Sequence, residues 1–129
     1  MTIKNVHVSE NEIFGMKRFV THLNQKDSIV VVEGRKDTVA LRKIGYTGKI
    51  MEFHKFGGMT KFVDSAATYT NLTILLDGDR KGRYLTGRII EKLSRRTNLS
   101  LAEKKRLNII TGGKSRFIEQ LVFYEPYMI

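Results

Sequence analysis

Apolar residues in this chain alternate between helical spacing and short unbroken β-branched runs. Ser9-Glu10-Asn11-Glu12 forms a capping box, in which serine and a glutamate three residues later satisfy orphan backbone donors reciprocally. Ile13, Met16, Val20 and Leu23 follow at helical spacing, which predicts a helix over 9–26 ending near Gln25. Ser28–Val32 is a run with no polar alternation after Ser28, the pattern of a strand buried on both faces. A short helix from about Lys36 to Ile44 should turn Val39, Ala40 and Ile44 inward, with Gly45 as its stop. Lys49–Phe53 reads as a weaker strand, Phe56-Gly57-Gly58 as a loop, and Met59–Tyr69 as a helix with Met59, Phe62, Val63 and Ala66 on one face. Leu72–Leu76 is a third strand. Lys81–Arg96 is the clearest helix, striped by Leu85, Ile89 and Leu93, with Gly87 either a point of close approach to the sheet or a neutral loss of propensity.

The two ends are less regular. Val6 and Val8 suggest a short edge strand. Ser100-Leu101-Ala102-Glu103 reads as a second capping box opening a helix to about Ile110, although Leu107–Thr111 also fits a fourth strand; the helix is preferred. Ser115–Tyr124 is expected to be a last helix, docking Phe117, Ile118, Leu121 and Val122, with Pro126 blocking its continuation. Strand and helix alternate three times, so the expected class is α/β: three layers, Rossmann-like, with a parallel sheet of three to four strands flanked by helices.

The pattern places acid at two strand ends. Ile29-Val30-Val31-Val32 runs into Glu33-Gly34-Arg35-Lys36-Asp37, and Ile74-Leu75-Leu76 into Asp77-Gly78-Asp79-Arg80-Lys81-Gly82. In open α/β sheets ligands bind beyond the carboxyl ends of the strands, so Glu33, Asp77 and Asp79 are expected at one site. Two carboxylates about 4 Å apart repel by roughly 4 kcal/mol at an effective dielectric near 20. A site holding three must take up a proton or a cation. Oxygen ligands without His or Cys favour Mg²⁺, with Mn²⁺ as substitute. The competing reading makes Asp77 or Asp79 a helix cap and Asp37 a favourable charge at a helix N-terminus.

Composition narrows the field. The 129 residues favour a single domain over 1–129, and 41% hydrophobic residues suffice for one core. No cysteine is present, which excludes disulfides and thiolate metal sites and points to the cytoplasm. No apolar stretch is long enough for a membrane span, and no signal-peptide pattern opens the chain. The net charge of +10 is localised: Arg80–Arg116 holds twelve Lys/Arg and two Glu, and elsewhere eleven basic residues face eleven acidic ones. Such a block is the footprint of a phosphate-backbone partner.

These residues resemble the Toprim domain, found in topoisomerases, primases, recombination mediators, certain nucleases and small stand-alone proteins. The likeness spans about 28–96, with a basic helical extension over 97–129. Glu33-Gly34-Arg35-Lys36-Asp37 is similar to its glutamate motif and Leu76-Asp77-Gly78-Asp79-Arg80-Lys81-Gly82 to its D-x-D motif; Gly57-Gly58 falls where many members carry glycine after the second strand. The resemblance implies Glu33 as general acid/base, Asp77 and Asp79 (with Glu33) as Mg²⁺ ligands, and an acidic role for Asp37. Asp-Gly-Asp-Arg is closer to primases than to topoisomerases, and Thr38-Val39-Ala40-Leu41 extends a similarity to the endonuclease that matures 5S ribosomal RNA. A topoisomerase would need a tyrosine-bearing domain, and a primase zinc modules that a chain without cysteine cannot supply. The expectation is a stand-alone Toprim protein hydrolysing phosphodiesters of RNA or single-stranded DNA.

Arg35, Lys36, Arg80, Lys81 and Arg83 are expected to rim the acids and hold phosphate, or to pair with the carboxylates, while Gly34, Gly57, Gly58 and Gly82 shape the loops. Phe53, Phe56, Phe62, Tyr69 and Tyr84 are assigned to the core rather than to base stacking. His54 is read as a surface histidine near the glycine loop. Two other readings remain at this stage: a non-catalytic nucleic-acid-binding module, alone or with protein partners in RNA processing or replication, and an enzyme of nucleotides or polyphosphates.

Overall fold

Four strands, Ile29–Val32 (β1), Ile50–Glu52 (β2), Asn71–Ile74 (β3) and Asn98–Ser100 (β4), form one parallel sheet in the order β2-β1-β3-β4. The computed structural model describes residues 8–128. Its helices are Glu10–Gln25 (α1), Arg35–Lys43 (α2), Met59–Ala66 (α3), Arg80–Leu93 (α4) and Ala102–Thr111 (α5), with a 3₁₀ turn at Phe53–Phe56 and a 3₁₀ segment at Ile118–Tyr127. The α/β, three-layer, Rossmann-like class holds.

The side-chain alternation of β1 divides the core between the two faces of the sheet. Val30 and Val32 join Met16, Phe19 and Leu23 of α1, Leu41 of α2, Leu107 of α5, and Ile118, Leu121 and Tyr124 of the C-terminal segment. Val31 faces the other way, with Phe62 and Ala66 of α3 and Leu85, Ile89 and Leu93 of α4. A strand apolar at every position is thereby buried on both faces. Because β1 leads to β2 on one side while β3 lies on the other, β1 and β3 are adjacent at the point where strand order reverses. That is where such sheets place ligands.

Local signals account for most boundaries. The Ser9 capping box forms: Glu12 N–H donates to Ser9 Oγ at 3.1 Å and Ser9 N–H to Glu12 Oε1 at 3.4 Å. Gly45 (φ 111°) terminates the turn after α2. Gly57 (φ 73°) and Gly58 (φ 139°) make the left-handed bend into α3, which L side chains rarely adopt.

Several expectations are corrected. The edge-strand reading of Val6 lies outside the described residues; Val8 is in no strand and packs against the core. Val39 is 37% exposed, and Leu41 fills the inward position instead. Tyr69 and Tyr84 are exposed rather than core. Gly87 has open space around it and brings nothing close to the sheet. The preferred helical reading of 107–111 holds, within α5, whereas a fourth strand lies upstream at 98–100, where none was expected. The second capping box does not form: α5 is capped at Leu101, and Ser100 Oγ donates instead to the Glu103 carboxylate at 2.6 Å. The C-terminal segment is 3₁₀ with Pro126 inside it, not an α-helix ending before it.

Candidate functional site

The carboxyl ends of β1 and β3 open into a cleft of about 440 Å³. Glu33, Asp37, Asp77, Asp79 and Glu119 line it with Arg35, Lys36, His54 and Lys81. Thus the four acids singled out from the sequence meet at one cleft, although 40 residues separate the two motifs.

Each acid is held differently. Glu33 follows β1 directly and is 9% exposed. Its Oε2 lies 2.7 Å from Lys81 Nζ and 3.2 Å from His54 Nε2. The backbone adds a tie, His54 N–H donating to Glu33 O at 3.0 Å. Asp37, in the first turn of α2, accepts the Gly34 N–H at 3.1 Å. Burial pushes its pKa up to about 6, against the Gly34 hydrogen bond and with help from the charges of Asp77, Glu33 and Glu119. Asp77 Oδ1 accepts the Ile118 N–H at 2.7 Å, a donor from the C-terminal segment. Burial also raises the Asp77 pKa; the Ile118 hydrogen bond and Lys104 oppose this, and Glu33 and Asp79 add to it. Asp79 caps α4, its Oδ1 accepting the Gly82 N–H at 2.8 Å.

Gly82 has a separate steric reason to be glycine. A Cβ there would collide with the carbonyl oxygen of Asp77, so the spacing D-x-D-x-x-G lets α4 start against the end of β3. Lys81 is thereby brought to Glu33, whose hydrogen bond and charge raise the lysine pKa.

Other expected residues fall elsewhere. Arg80 opens α4 exposed and is not among the residues lining the cleft. Arg83 donates to Gly78 O at 3.3 Å and lines a neighbouring pocket. Gly57 and Gly58 serve the turn into α3 rather than the cleft. Contributions missed from the sequence are the Ile118 N–H, Glu119, Phe117 and half-buried Lys104, whose pKa is lowered by burial and partly restored by Asp77. No local pattern marks them, because they arrive from segments tens of residues downstream. His54 is a surface residue as expected, and its exposed ring also partners Glu33; its position just beyond a strand end was the available signal for that second role.

Among the described residues, no three His, Asp or Glu side chains are already gathered as a metal cage. Mg²⁺ does not require one, since it keeps several waters and commonly uses one or two carboxylates plus substrate phosphate. The donor set fits that mode. Asp77 and Asp79 each commit one oxygen to a backbone N–H, and burial, with smaller contributions from neighbouring carboxylates, raises the pKa values of Asp37 and Asp77.

The chain is 35% identical over 101 residues to a UPF0292 protein of Archaeoglobus fulgidus, covering 75% of this chain and 77% of that one. It is 31% identical over 78 residues to a UPF0292 protein of Thermococcus sibiricus, covering 60% of this chain, and 38% identical over 60 residues to one of Thermoplasma volcanium, covering 46%. The matches span 61% and 50% of the length of the latter two relatives. No family model matches the chain, and no solved structure does.

Proposed function

The chain belongs to the UPF0292 family, and from that premise we propose that it is a Toprim-type protein that hydrolyses nucleic-acid phosphodiester bonds with Mg²⁺ in the cytoplasm. The observation supporting this is the single cleft at the β1/β3 switch point, where Glu33, Asp37, Asp77 and Asp79 stand beside Arg35, Lys36 and Lys81. Acids alone would repel a phosphate and bases alone would only bind it; a mixed site suits a metal-bridged phosphoryl group.

Asp77 and Asp79 hold the ion, which when bound neutralises a phosphoryl oxygen and lowers the pKa of water. Arg35 and Lys36 hold the flanking phosphate, Arg by two hydrogen bonds and Lys as a point charge. Glu33 moves the proton at the attacking or leaving oxygen. Lys81 and His54 keep its carboxylate directed into the cleft. RNA and single-stranded DNA are both candidate substrates.

The test is cleavage of a mixed set of single-stranded RNA and DNA oligonucleotides with Mg²⁺ or Mn²⁺. Wild type should turn over repeatedly, and Glu33→Gln and Asp77→Asn should each lose at least about a hundredfold in rate, the scale of general acid–base catalysis. Equal rates for wild type and Glu33→Gln would remove Glu33 from the mechanism.

One observation favours a binding role without turnover. Asp77 and Asp79 already serve backbone donors, and Lys81 already neutralises Glu33. On that reading oligonucleotides bind in a salt-dependent manner and no product forms with either ion.

A further inference from the structure

β4 is too short to cover its neighbour. Its last paired residue is Ser100, opposite Thr73, after which the chain turns at Leu101 into α5. β3 and its continuation, Ile74 to Leu76, therefore run on with no strand beside them on that edge. The result is a notch of about 440 Å³ between α4 and α5. Ile74, Leu76 and Leu101 give it apolar walls; Asn108 and Thr86 add polar groups, and Arg83, Lys104 and Lys105 supply positive charge.

The notch adjoins the acid cleft. Asp77 lines both, and Gly78, the next residue, lines the notch. A Cβ on Gly78 would meet Lys104 Nζ at 3.7 Å, and Gly78 O receives Arg83 Nη1 at 3.3 Å. A phosphate at Asp77 thus has an apolar, cation-rimmed recess one residue away on one side.

We infer that this notch seats a nucleobase of a single-stranded nucleic acid, from the nucleotide adjoining the phosphate held at Asp77. The inference rests on the reading of the acid cleft as a phosphodiester site. A base offers a flat apolar face to part-exposed Leu101, over a floor of buried Ile74 and Leu76, and its edge to the Asn108 amide, whose NH₂ can donate and whose oxygen accepts from Lys104 at 3.4 Å. The sugar–phosphate on its far side meets Arg83 and Lys105. Paired bases in a duplex cannot enter such a recess, so the notch selects unpaired strands.

The experiment compares two fluorescein-labelled twelve-nucleotide strands, oligothymidylate and its fully abasic sugar–phosphate counterpart, by anisotropy with Mg²⁺ in the Glu33→Gln background. The base-bearing strand should bind at least about tenfold more tightly, the scale of stacking one base. Leu101→Trp, which fills the notch, should erase the difference. Asn108→Ala, at an exposed position, should reduce it at least about threefold, the scale of one hydrogen bond. Equal binding of both strands, or a preference untouched by both substitutions, overturns the inference alone. Failure of both strands to bind at low salt overturns it together with the phosphodiester reading.

Discussion

Gly82 and Gly87 lie five residues apart on α4 and have opposite requirements. At Gly82 a methyl group would strike the Asp77 backbone, which cannot yield without moving an aspartate of the cleft. At Gly87 nothing lies nearby. Gly82→Ala should lower stability by at least about 3 kcal/mol, the upper range for overpacking. Gly87→Ala should raise it by about 0.5–1 kcal/mol through helix propensity. Urea melts of the two variants check both. Asp37 presents a conflict between stability and site chemistry. Its folded pKa of about 6 exceeds the 3.8 of the free side chain, owing mainly to burial, so the folded state binds its proton more tightly. Its favourable contribution is intact below about pH 4 and is lost as pH rises through 6. Asp37→Asn keeps an acceptor for the Gly34 N–H and removes the charge. It should stabilise the protein at pH 7 by up to about 3 kcal/mol and flatten the stability profile between pH 4 and 6. A variant no more stable than wild type at pH 7 would show that the burial is already compensated.

Among elements, the junction of α1 and α5 depends on one buried acid. Glu103 is 4% exposed and meets Lys26 Nζ at 2.6 Å, Ser100 Oγ at 2.6 Å and His22 Nε2 at 3.5 Å. Burial alone would raise its pKa, but the hydrogen bonds from Lys26 and Ser100 outweigh it and bring the value to about 2. A lowered folded pKa means that this stabilisation is present above about 4.5 and disappears as pH falls toward 2. Glu103→Gln should therefore lose about 3 kcal/mol at pH 7 and resemble wild type near pH 2, as thermal melts across that range would show. The same junction shows what the sequence could reveal. β1 and β3 were legible because burial on both faces demands an unbroken apolar run, and α4 because its stripe and its glycine-punctuated start agree. β4 is three residues, Asn-Leu-Ser, with neither a β-branched run nor alternation, and its place is set by pairing with β3 rather than by propensity. The Ser-x-x-Glu pattern at 100–103 was a false cap because Ser100 was still needed in the strand. The acids were legible because an apolar strand ending in carboxylate is locally unusual; Lys104 and the Ile118 N–H belong to the same site only through tertiary packing.

For the whole molecule, the charge is divided. The acid cleft lies at the switch point, while Arg88, Lys92, Arg95 and Arg96 extend along α4 and its end, Lys92, Arg95 and Arg96 being exposed. Arg88 is partly engaged by Glu91 at 2.7 Å. If single-stranded nucleic acid follows this face, reversing Arg88, Lys92 and Arg95 to Glu should weaken binding at least about tenfold and reduce the salt slope by about 2, since each lost phosphate contact lowers it by roughly 0.7. Titrations at several salt concentrations separate this from a site for small nucleotides, whose affinity would hardly move. Among the described residues, no helix is long and apolar enough to cross a membrane.

The hydrogen bond from Ile118 to Asp77 joins residues 41 positions apart. During translation, the sheet and both acidic motifs leave the ribosome before the residue that orients one of them. A nascent chain therefore carries both acidic motifs while Asp77 still lacks its backbone partner, and that carboxylate is anchored only once the segment around Ile118 has emerged.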